Sequence, residues 1–479
     1  MTRSWSRNIR CRSIHSACNG RLCILQGQFY LALHSSLVTS GLSEGRFCSQ
    51  WQPPRRWSTN GKNENNSNTN GNVNSRVKRS ATATTMRDSY KDHSFNQYSA
   101  HIGCQDLLQD CAKRLMEGRR LKTERVPSMM RIADLGSADG SNSIQTVDAF
   151  LDALQVNAAS NSNCNTDNAL DVHIVFEEQT SSDEKKLRET VSSWSDSRTK
   201  NNGGSSDGIT PVNISHEVLM KSFYEPLFEL ESIDFCMSYI CLHWLATTET
   251  SDIRSWKRMA NDNGSDNDKN NGNNLDQFLQ INERTAPPRV RQWWKKHLAD
   301  PHLAKFLALR AKELRPGGEL MVVMVADPHG FWKPPSPETE SPLLQAMKRC
   351  VRNGSLRKEA LEKTTIPYYL RQPQDVRDAL ALAQEQNSDA NRLEMIKLRH
   401  YETLTGGHGT ENNMRGMEAA KDLFWSIHGG SIVHTSGVTP EEVESIQAQL
   451  ADTFEESYNP DTGIVKGHFI ACVFRKKEE

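Results

Sequence analysis

The stretch RIADLGSADGSNSI, residues Arg131–Ile144, decides the fold. Its apolar beginning, Ile132 to Leu135, predicts a buried strand, and Gly136 and Gly140 predict a tight turn after it. A helix is expected to start near Asn142. A strand, a glycine turn and a helix start together place backbone N–H groups and the positive end of a helix dipole over a ligand. The stretch therefore predicts a cofactor-binding turn.

The glycine spacing indicates which cofactor this turn would bind. Dinucleotide-binding turns have the pattern G-x-G-x-x-G, whereas here Asp134 is followed by only two glycines, Gly136 and Gly140. S-adenosylmethionine (SAM) offers an ammonium and a sulfonium where NAD offers a pyrophosphate, so an acid at the strand tip is useful instead of repulsive. The pattern favours SAM and argues against an NAD-dependent oxidoreductase. A plain strand-turn-helix, with an Asp as helix cap, is the alternative at this point.

Composition excludes several classes of function. The 479 residues carry 58 basic and 59 acidic side chains, so no overall field draws the chain to nucleic acid or to an anionic membrane. No apolar run reaches the roughly 20 residues of a spanning helix. The 11 cysteines form no C-x-x-C pair, which argues against a zinc site or a disulfide framework. We therefore expect neither a nucleic-acid nor a membrane partner.

The N-terminal segment has the composition of a targeting sequence. Residues 1–57 are rich in arginine and contain one acid, Glu44, which is typical of an organelle transit peptide. RRWS at 55–58 also resembles a mitochondrial processing site. We expect import into a mitochondrion or plastid; if the segment is merely a disordered N-terminus, the location is the cytoplasm. Residues 58–85 are rich in Asn and Ser and predict a disordered linker.

Two further strands end in polar or aromatic residues. Residues 172–176 (VHIVF) predict a strand that leads into Glu177 and Glu178, and we expect Glu178 to accept hydrogen bonds from ribose hydroxyls. Residues 233–239 predict another strand, with His243 and Trp244 following at its carboxyl end. Ligands bind at this edge of open α/β sheets. The alternatives are an exposed loop carboxylate for Glu178 and a structural pair for His243 and Trp244.

The patterned segments predict an α/β fold with a parallel, helix-covered sheet. The helical pattern at 303–314 and the apolar strand at 319–325 extend it. We interpret the chain as a core over 86–330, a helical cap with no clear strand pattern over 331–420, and a C-terminal part over 421–479. The last part contains a helix, 440–456, and a strand, 465–474, predicted to be the sheet edge and protected from pairing by Lys476 and Lys477. Asn-rich tracts at 157–168, 196–208 and 261–274 predict surface loops.

Four stretches together resemble a known family. They are Tyr98–Gln105, IADLGSADGSNSI, KSFYEPLFELESIDFCMSYICLHWL and APPRVRQWWKKHLADPHLAKFLALRAKELRPGGELMVV. In this order and spacing the chain resembles the SABATH family of methyltransferases, which methylate carboxyl groups of small acids or ring nitrogens of xanthines. The similarity runs from Met86 to Lys476. It implies a Rossmann-like class I methyltransferase sheet with a mainly helical cap.

The resemblance also implies a set of site residues. The cofactor SAM would be bound by Tyr98, Asp134, Gly136, Ser137, Asn142, Glu178, Ser222 and Phe223. The acceptor would be contacted by Gln105, Tyr239, His243 and Trp244, of which Gln105, His243 and Trp244 are the catalytic candidates. Gln105 and the Trp244 indole N–H would hold the acceptor carboxylate.

The chain departs from the family at two places. Where the family has Asn-Ser, this chain has His101-Ile102, which removes a hydroxyl near the methionine carboxylate of SAM. The family's acidic and Asn magnesium positions correspond to Glu362 and Thr365. Because Mg²⁺ binds several oxygen ligands and these positions are degraded, we assign no metal ligand.

The predicted activity is SAM-dependent transfer of a methyl group to the carboxylate of a small organic acid. Two alternatives are kept: a catalytically inactive, methyltransferase-like organelle assembly or binding protein, and an N-methyltransferase of a small heterocycle. The sequence leaves open whether the chain forms a homodimer.

Overall fold

Among the residues that the structure describes, seven strands form one mixed sheet. The computed structural model describes residues 100–121, 129–159, 169–180, 182–202, 211–245, 288–327, 342–405, 425, 428–433, 435–457 and 465–478. In chain order the strands are β1 (Met129–Leu135), β2 (Leu170–Glu178), β3 (Val212–Met220), β4 (Ile233–Tyr239), β5 (Leu314–Val325), β6 (Leu393–Thr405) and β7 (Val465–Lys476). Across the sheet they follow the order β3-β2-β1-β4-β5-β7-β6. β1 to β5 are parallel, and β7 is antiparallel to both β5 and β6.

The strand order places the turn after β1 at the centre of the ligand edge. Leu135, the last residue of β1, is paired with Glu177 of β2 on one side and with Ser238 of β4 on the other. The order of the parallel strands reverses between β1 and β4. In open α/β sheets, ligands bind at this switch point, outside the carboxyl ends of the strands.

Helices cover both faces of the sheet. They are α1 (Gln105–Leu121), α2 (Ser141–Ala159), α3 (Glu184–Asn202), α4 (Pro288–Trp294), α5 (Asp300–Glu313), α6 (Pro342–Arg352), α7 (Lys358–Lys363), α8 (Pro373–Gln386) and α9 (Pro440–Ser457). A π-helical turn, Lys295–Ala299, joins α4 to α5, and a 3₁₀ turn, Ser388–Arg392, precedes β6. None of the described helices has the length and apolar content to cross a membrane.

Alternating residues of the strands pack into two hydrophobic cores. Ile132 of β1 belongs to the core formed with α1, α2, α6 and α9, whereas its neighbour Ala133 belongs to the core formed with α5 and α8. Phe150 of α2 stacks on Phe235 of β4, with ring centroids 4.1 Å apart. Each large apolar side chain buried in this way contributes about 1.5–3 kcal/mol to folding. Both cores therefore fix the central strands, and with them the ligand edge.

Most of the predicted elements of the core are confirmed. β4 has the predicted bounds, β1, β2 and β5 contain the predicted strands, and α2 begins one residue before Asn142. α9 matches the predicted C-terminal helix to within a residue. The parallel arrangement holds for β1 to β5, and the α/β class is confirmed.

The prediction that the last strand forms the sheet edge is wrong. β7 lies inside the sheet, because β6 pairs along it from Leu393–Lys476 to Thr405–Val465. Lys476, expected to discourage pairing, is 1% exposed. Its Nζ donates a 2.8 Å hydrogen bond to the Leu314 carbonyl and lies 3.0 Å from Glu231. The charge of Lys476 is thus paired with Glu231 inside the structure, and the residue does not protect a sheet edge.

The prediction of a helical cap over 331–420 missed one strand, because β6 lies in this range and belongs to the core sheet. The register of β6 shifts between Met395 and Lys397, which breaks the two-residue period that identifies a strand in a sequence. Helices α6, α7 and α8 do fill much of the described part of the range. The range 331–420 therefore belongs partly to the helical cap and partly to the core sheet.

The Asn-rich tract at 196–208 is only in part a candidate loop, because α3 continues to Asn202. The helix is anchored by buried Leu187 and Val191 and by the Trp194 indole, which donates to Asp148 of α2 at 2.9 Å. Because this packing stabilises the helix, its polar last turn is also helical. At 157–168, α2 extends to Ala159; the rest of that tract, the tract at 261–274 and the linker at 58–85 lie outside the described residues.

Candidate active site

The turn after β1 is built from two glycines with left-handed backbone angles. Gly136 has φ +82° and Gly140 has φ +84°. The Gly136 N–H donates to both the carbonyl and the carboxylate of Glu177, each at 3.0 Å. A Cβ built on Gly136 would lie 2.6 Å from the Cys241 Sγ. Glycine is therefore required here both by the backbone angle and by the close approach of the chain after β4.

Helix α2 starts directly above this turn. Asn142 lies in its first turn, and the Ser141 N–H at its start donates to Asp139 Oδ1 at 3.0 Å. The free N–H groups and the dipole of a helix N-terminus favour a polar or anionic group of a ligand. The predicted position of Asn142 beside the turn agrees with this geometry.

Asp134 lies beneath the turn at the end of β1. Its side chain is buried, and Ser137 Oγ donates to its Oδ2 at 2.9 Å. Burial raises the pKa of Asp134 to about 6, against the hydrogen bonds from Ser143 and Ser137 that lower it. Asp134 and Ser137, both predicted from the resemblance, therefore form one hydrogen-bonded pair.

Glu178 also binds the turn, through one of its two carboxylate oxygens. Oε2 accepts the Ala138 N–H at 2.6 Å, and Oε1 accepts the Gln179 N–H at 3.0 Å and the Ser182 hydroxyl at 2.9 Å. Burial raises the pKa of Glu178. Ribose hydroxyls would share the Glu178 carboxylate with the backbone of the turn. Ordering the turn is therefore a second role of Glu178, in addition to the predicted contact with ribose.

Two residues of this region were missed by sequence reasoning. Ala138 has φ +52°, an uncommon angle for a residue with a Cβ, and it is held there by its bond to Glu178. Glu177 is fully buried, and its Oε1 has no hydrogen-bond partner among the described residues. Burial raises the pKa of Glu177 well above its usual value, and the neighbouring Glu178 adds to the effect. Neither feature has a signal in the one-dimensional pattern.

Ser222 and Phe223 follow β3 and lie beside the same turn. The Lys221 N–H, one residue earlier, donates to the Glu178 carbonyl at 2.9 Å. The Cβ built on Gly136 would be 3.8 Å from Phe223 Cε1. Arg310 of α5 donates to the Phe223 carbonyl at 3.2 Å and so fixes the segment. The structure thus brings these two predicted residues next to the glycine turn.

A cleft opens on the α2 side of the turn. The space inside it is about 490 Å³, a value that includes open solvent. Most of its wall comes from the turn and from the first turns of α2, and the rest comes from two side chains elsewhere in the chain; the lining residues are His101, Asp134, Gly136, Ser137, Ala138, Asn142, Ser143, Gln145, Thr146 and Tyr239. A buried carboxylate and a helix N-terminus in one cleft fit a ligand that carries both charges, as the amino-acid end of SAM does.

The predicted acceptor residues lie at the end of β4. His243 and Trp244 are in contact, with ring centroids 5.2 Å apart. The Tyr369 N–H donates to the His243 carbonyl at 2.8 Å, and the Tyr224 hydroxyl donates to the Trp244 carbonyl at 3.0 Å. Burial lowers the pKa of His243 to about 3, so its imidazole is neutral at pH 7. His243 can therefore offer a hydrogen bond but no positive charge.

Two more rings join this pair. Tyr368 lies 5.7 Å from Trp244 and 5.4 Å from His428, which stacks on it at 21°. Burial lowers the pKa of His428 to about 3. Nothing in the sequence pattern around His428 indicated a site. These four side chains, His243, Trp244, Tyr368 and His428, are called the ring cluster below.

Two of the predicted residues are less well connected. Gln105 begins α1 and is half-buried, four residues after His101, whose ring meets Tyr239 edge-on at 6.0 Å. Tyr98 lies outside the described residues. Tyr239 lines the cleft and lies at the end of β4, four residues before His243.

Glu362 and Thr365, at the family's magnesium positions, make other contacts. Glu362 lies 3.4 Å from Lys358 within α7, and Thr365 is fully buried with its N–H donating to Thr435 Oγ1 at 3.0 Å. Within the part of the chain that the structure describes, no cluster of three or more His, Cys, Asp or Glu side chains could hold a metal ion.

Comparison with known proteins identifies a family and a shared fold. A family model described as SAM dependent carboxyl methyltransferase matches residues 81–462. Anthranilate O-methyltransferase 1 of Zea mays is 22% identical over 282 residues, 59% of this chain and 67% of that protein. The 3,7-dimethylxanthine N-methyltransferase 2 of Coffea arabica is 22% identical over 372 residues, 78% of this chain and 86% of that protein. A solved loganic acid methyltransferase with SAH has a TM-score of 0.57 at 14% identity, covering 83% of this chain and 99% of that one, and shares the fold.

Proposed function

Because the chain belongs to the SABATH family of SAM-dependent carboxyl methyltransferases, we propose that it methylates the carboxylate of a small organic acid. The observation that carries this proposal is the pairing of Leu135 with Ser238, which sets the glycine turn beside the end of β4. Donor residues at one strand end and acceptor residues at the next can bring two bound molecules into reacting distance. The two sites meet at the switch point of the sheet.

SAM is the methyl donor of this enzyme, and it supplies a methyl group on a positively charged sulfur. The residues of the chain bind and orient it. Asp134, held by Ser137, would bind the amino-acid end of SAM, and Glu178 and Phe223 would bind its ribose and adenine end. The buried carboxylates of this region favour a cation over a neutral molecule, because opposite charges attract strongly where water is excluded.

On the acceptor side, Gln105 and the Trp244 indole N–H hold the carboxylate, with His243 as a neutral third contact. A carboxylate is ionised at neutral pH, so no side chain has to remove a proton from it. The two donors leave an oxygen lone pair aimed at the methyl group. Holding both reactants in this geometry can lower the barrier by about 7–11 kcal/mol. Tyr239 and the ring cluster exclude water.

The acceptor chemistry is tested by incubating the full chain with SAM labelled in its methyl group. The panel contains aromatic and aliphatic carboxylic acids together with xanthines, since both kinds of enzyme occur among the relatives. We expect label in an acid product that mild alkali releases as methanol, the behaviour of a methyl ester. An alkali-stable product on a xanthine would replace the proposal with ring N-methylation.

We also propose that residues 1–57 direct the enzyme to a mitochondrion or plastid. The support is their arginine-rich composition with a single acid, Glu44. The segment fused to a fluorescent protein should enter one of these organelles, and replacing its arginines with glutamine should leave the fusion in the cytoplasm. Cytoplasmic fluorescence of the unaltered fusion would refute this location.

A further inference from the structure

His101 is the residue of the cleft whose chemistry is not yet accounted for. It is 5% exposed and lines the cleft, and its Nδ1 atom is buried without a hydrogen-bond partner among the described residues. Of the side chains that line the cleft, His101 is the one with such an atom. A buried polar atom without a partner costs free energy unless a ligand supplies the missing bond.

We propose that the His101 side chain binds the carboxylate at the amino-acid end of SAM. This inference rests on the proposed use of SAM in this cleft and adds the residue that recognises one of its groups. The cleft already holds an anion, Asp134, which suits the ammonium of the same amino-acid end. The carboxylate needs a donor instead, and a ring N–H of His101 supplies one.

A neutral donor suits this position better than a cation. Burial lowers the pKa of His101 to about 4, so the ring carries no charge at pH 7. A lysine or arginine near the amino-acid end would repel the sulfonium, whereas a neutral imidazole donates a hydrogen bond without that penalty. The edge-on contact with Tyr239, 6.0 Å between centroids, keeps the ring in place before the ligand arrives.

The test compares SAM with its decarboxylated analogue, which keeps the adenosine, the sulfonium and the ammonium but lacks the carboxylate. Binding of each to the full chain is measured by isothermal titration calorimetry without acceptor. The variants are His101→Phe, which keeps the ring packing on Tyr239, and His101→Asn, which keeps a donor. Leu230→Ala is the control, because this side chain is 74% exposed and precedes β4, at the end of the strand away from the cleft.

We expect His101→Phe to weaken SAM binding by about tenfold or more and to leave the analogue within about twofold of wild type. His101→Asn should recover part of the loss, and Leu230→Ala should change the affinity for neither ligand. Equal losses for SAM and the analogue, or no loss for either, would overturn the inference while leaving the methyltransferase proposal intact. Wild-type protein that binds no SAM would overturn both. Thermal melting of each variant identifies a change caused by misfolding.

Discussion

The backbone amide of Ala138 donates a 2.6 Å hydrogen bond to the carboxylate of Glu178, which ties the glycine turn to the end of the neighbouring strand. Glu178 therefore has a structural part in the site even before a ligand binds. The Ser182 hydroxyl donates to the other carboxylate oxygen at 2.9 Å and holds the side chain from the opposite side. A change at Glu178 acts on the turn and on the cofactor together.

We predict that Glu178→Ala weakens SAM binding and also destabilises the fold. Each lost hydrogen bond to this buried charged group is worth about 1.5–3 kcal/mol, and the Ala138 N–H is left unpaired. Calorimetry gives the affinity and urea unfolding gives the stability. Ser182→Ala, which removes one bond and keeps the carboxylate, should lower both quantities far less. SAM affinity unchanged in Glu178→Ala would remove this residue from the site.

A pair of glycine substitutions separates backbone strain from steric clash. Gly136 and Gly354 have nearly the same angle, φ +82° and +79°, but a Cβ on Gly136 would lie 2.6 Å from Cys241 Sγ whereas a Cβ on Gly354 would meet nothing within 4 Å. Gly354→Ala should cost about 1–2 kcal/mol of stability, from the left-handed angle alone, and keep SAM binding. Gly136→Ala should cost clearly more and abolish SAM binding. Similar unfolding midpoints for the two variants would contradict the close approach.

The raised pKa of Asp134 predicts opposite effects of pH on stability and on cofactor binding. The folded-state pKa, about 6, lies above the ordinary 3.8, so the folded protein binds the proton more tightly. The stability that this group contributes is therefore greatest below pH 3.8 and is lost as the pH rises through about 6. SAM affinity should rise over the same interval, because the ionised carboxylate attracts the ammonium.

Calorimetric titration with SAM between pH 5 and 7 checks this dependence, since an α-amino group stays protonated there. Repeating the titration in buffers of different ionisation enthalpy should reveal a proton released on binding at pH 5. Asp134→Asn should weaken binding at pH 7 and flatten the profile. An unchanged slope in that variant would assign the pH dependence to another group, for example Glu177 or Glu178.

Two identical substitutions at different tryptophans test the acceptor site. Trp244→Phe keeps the ring in the ring cluster but deletes the indole N–H, and turnover of the acid substrate should fall about tenfold or more with SAM affinity unchanged. Trp194→Phe deletes an N–H that donates to Asp148 at 2.9 Å on the surface of α2 and α3, and it should leave turnover unchanged. Steady-state kinetics at saturating SAM measures both. Equal turnover in the two variants would mean that the acceptor is not held by Trp244.

Much of the site could be predicted because its chemistry is encoded locally. The strand, the two glycines and the helix start occupy fourteen consecutive residues, Arg131–Ile144, and the angles +82° and +84° that the turn requires are open mainly to glycine. β4 was predicted to the residue, because its segment is short, mostly apolar and clearly bounded. Local periodicity and glycine position are properties of the chain before it folds.

Other features were decided by contacts between distant parts of the chain. A register shift interrupts the two-residue period of β6, so its place beside β7 follows only from the strand pairing. Lys476 is buried because its Nζ contacts Leu314 and Glu231. His428 contacts Trp244 although more than 180 residues separate them in the sequence. No sequence pattern around His428 predicts this contact.

The sequence by itself determined the βα turn, the central parallel strands and the kind of cofactor that the turn suits. The tertiary structure alone decided the outer strand order, the ring cluster, the unpaired Nδ1 of His101 and the double use of Glu178. The physical reason is that a turn or a strand depends on neighbours a few residues away, whereas burial, pairing and an unmet hydrogen bond depend on which distant residues pack together.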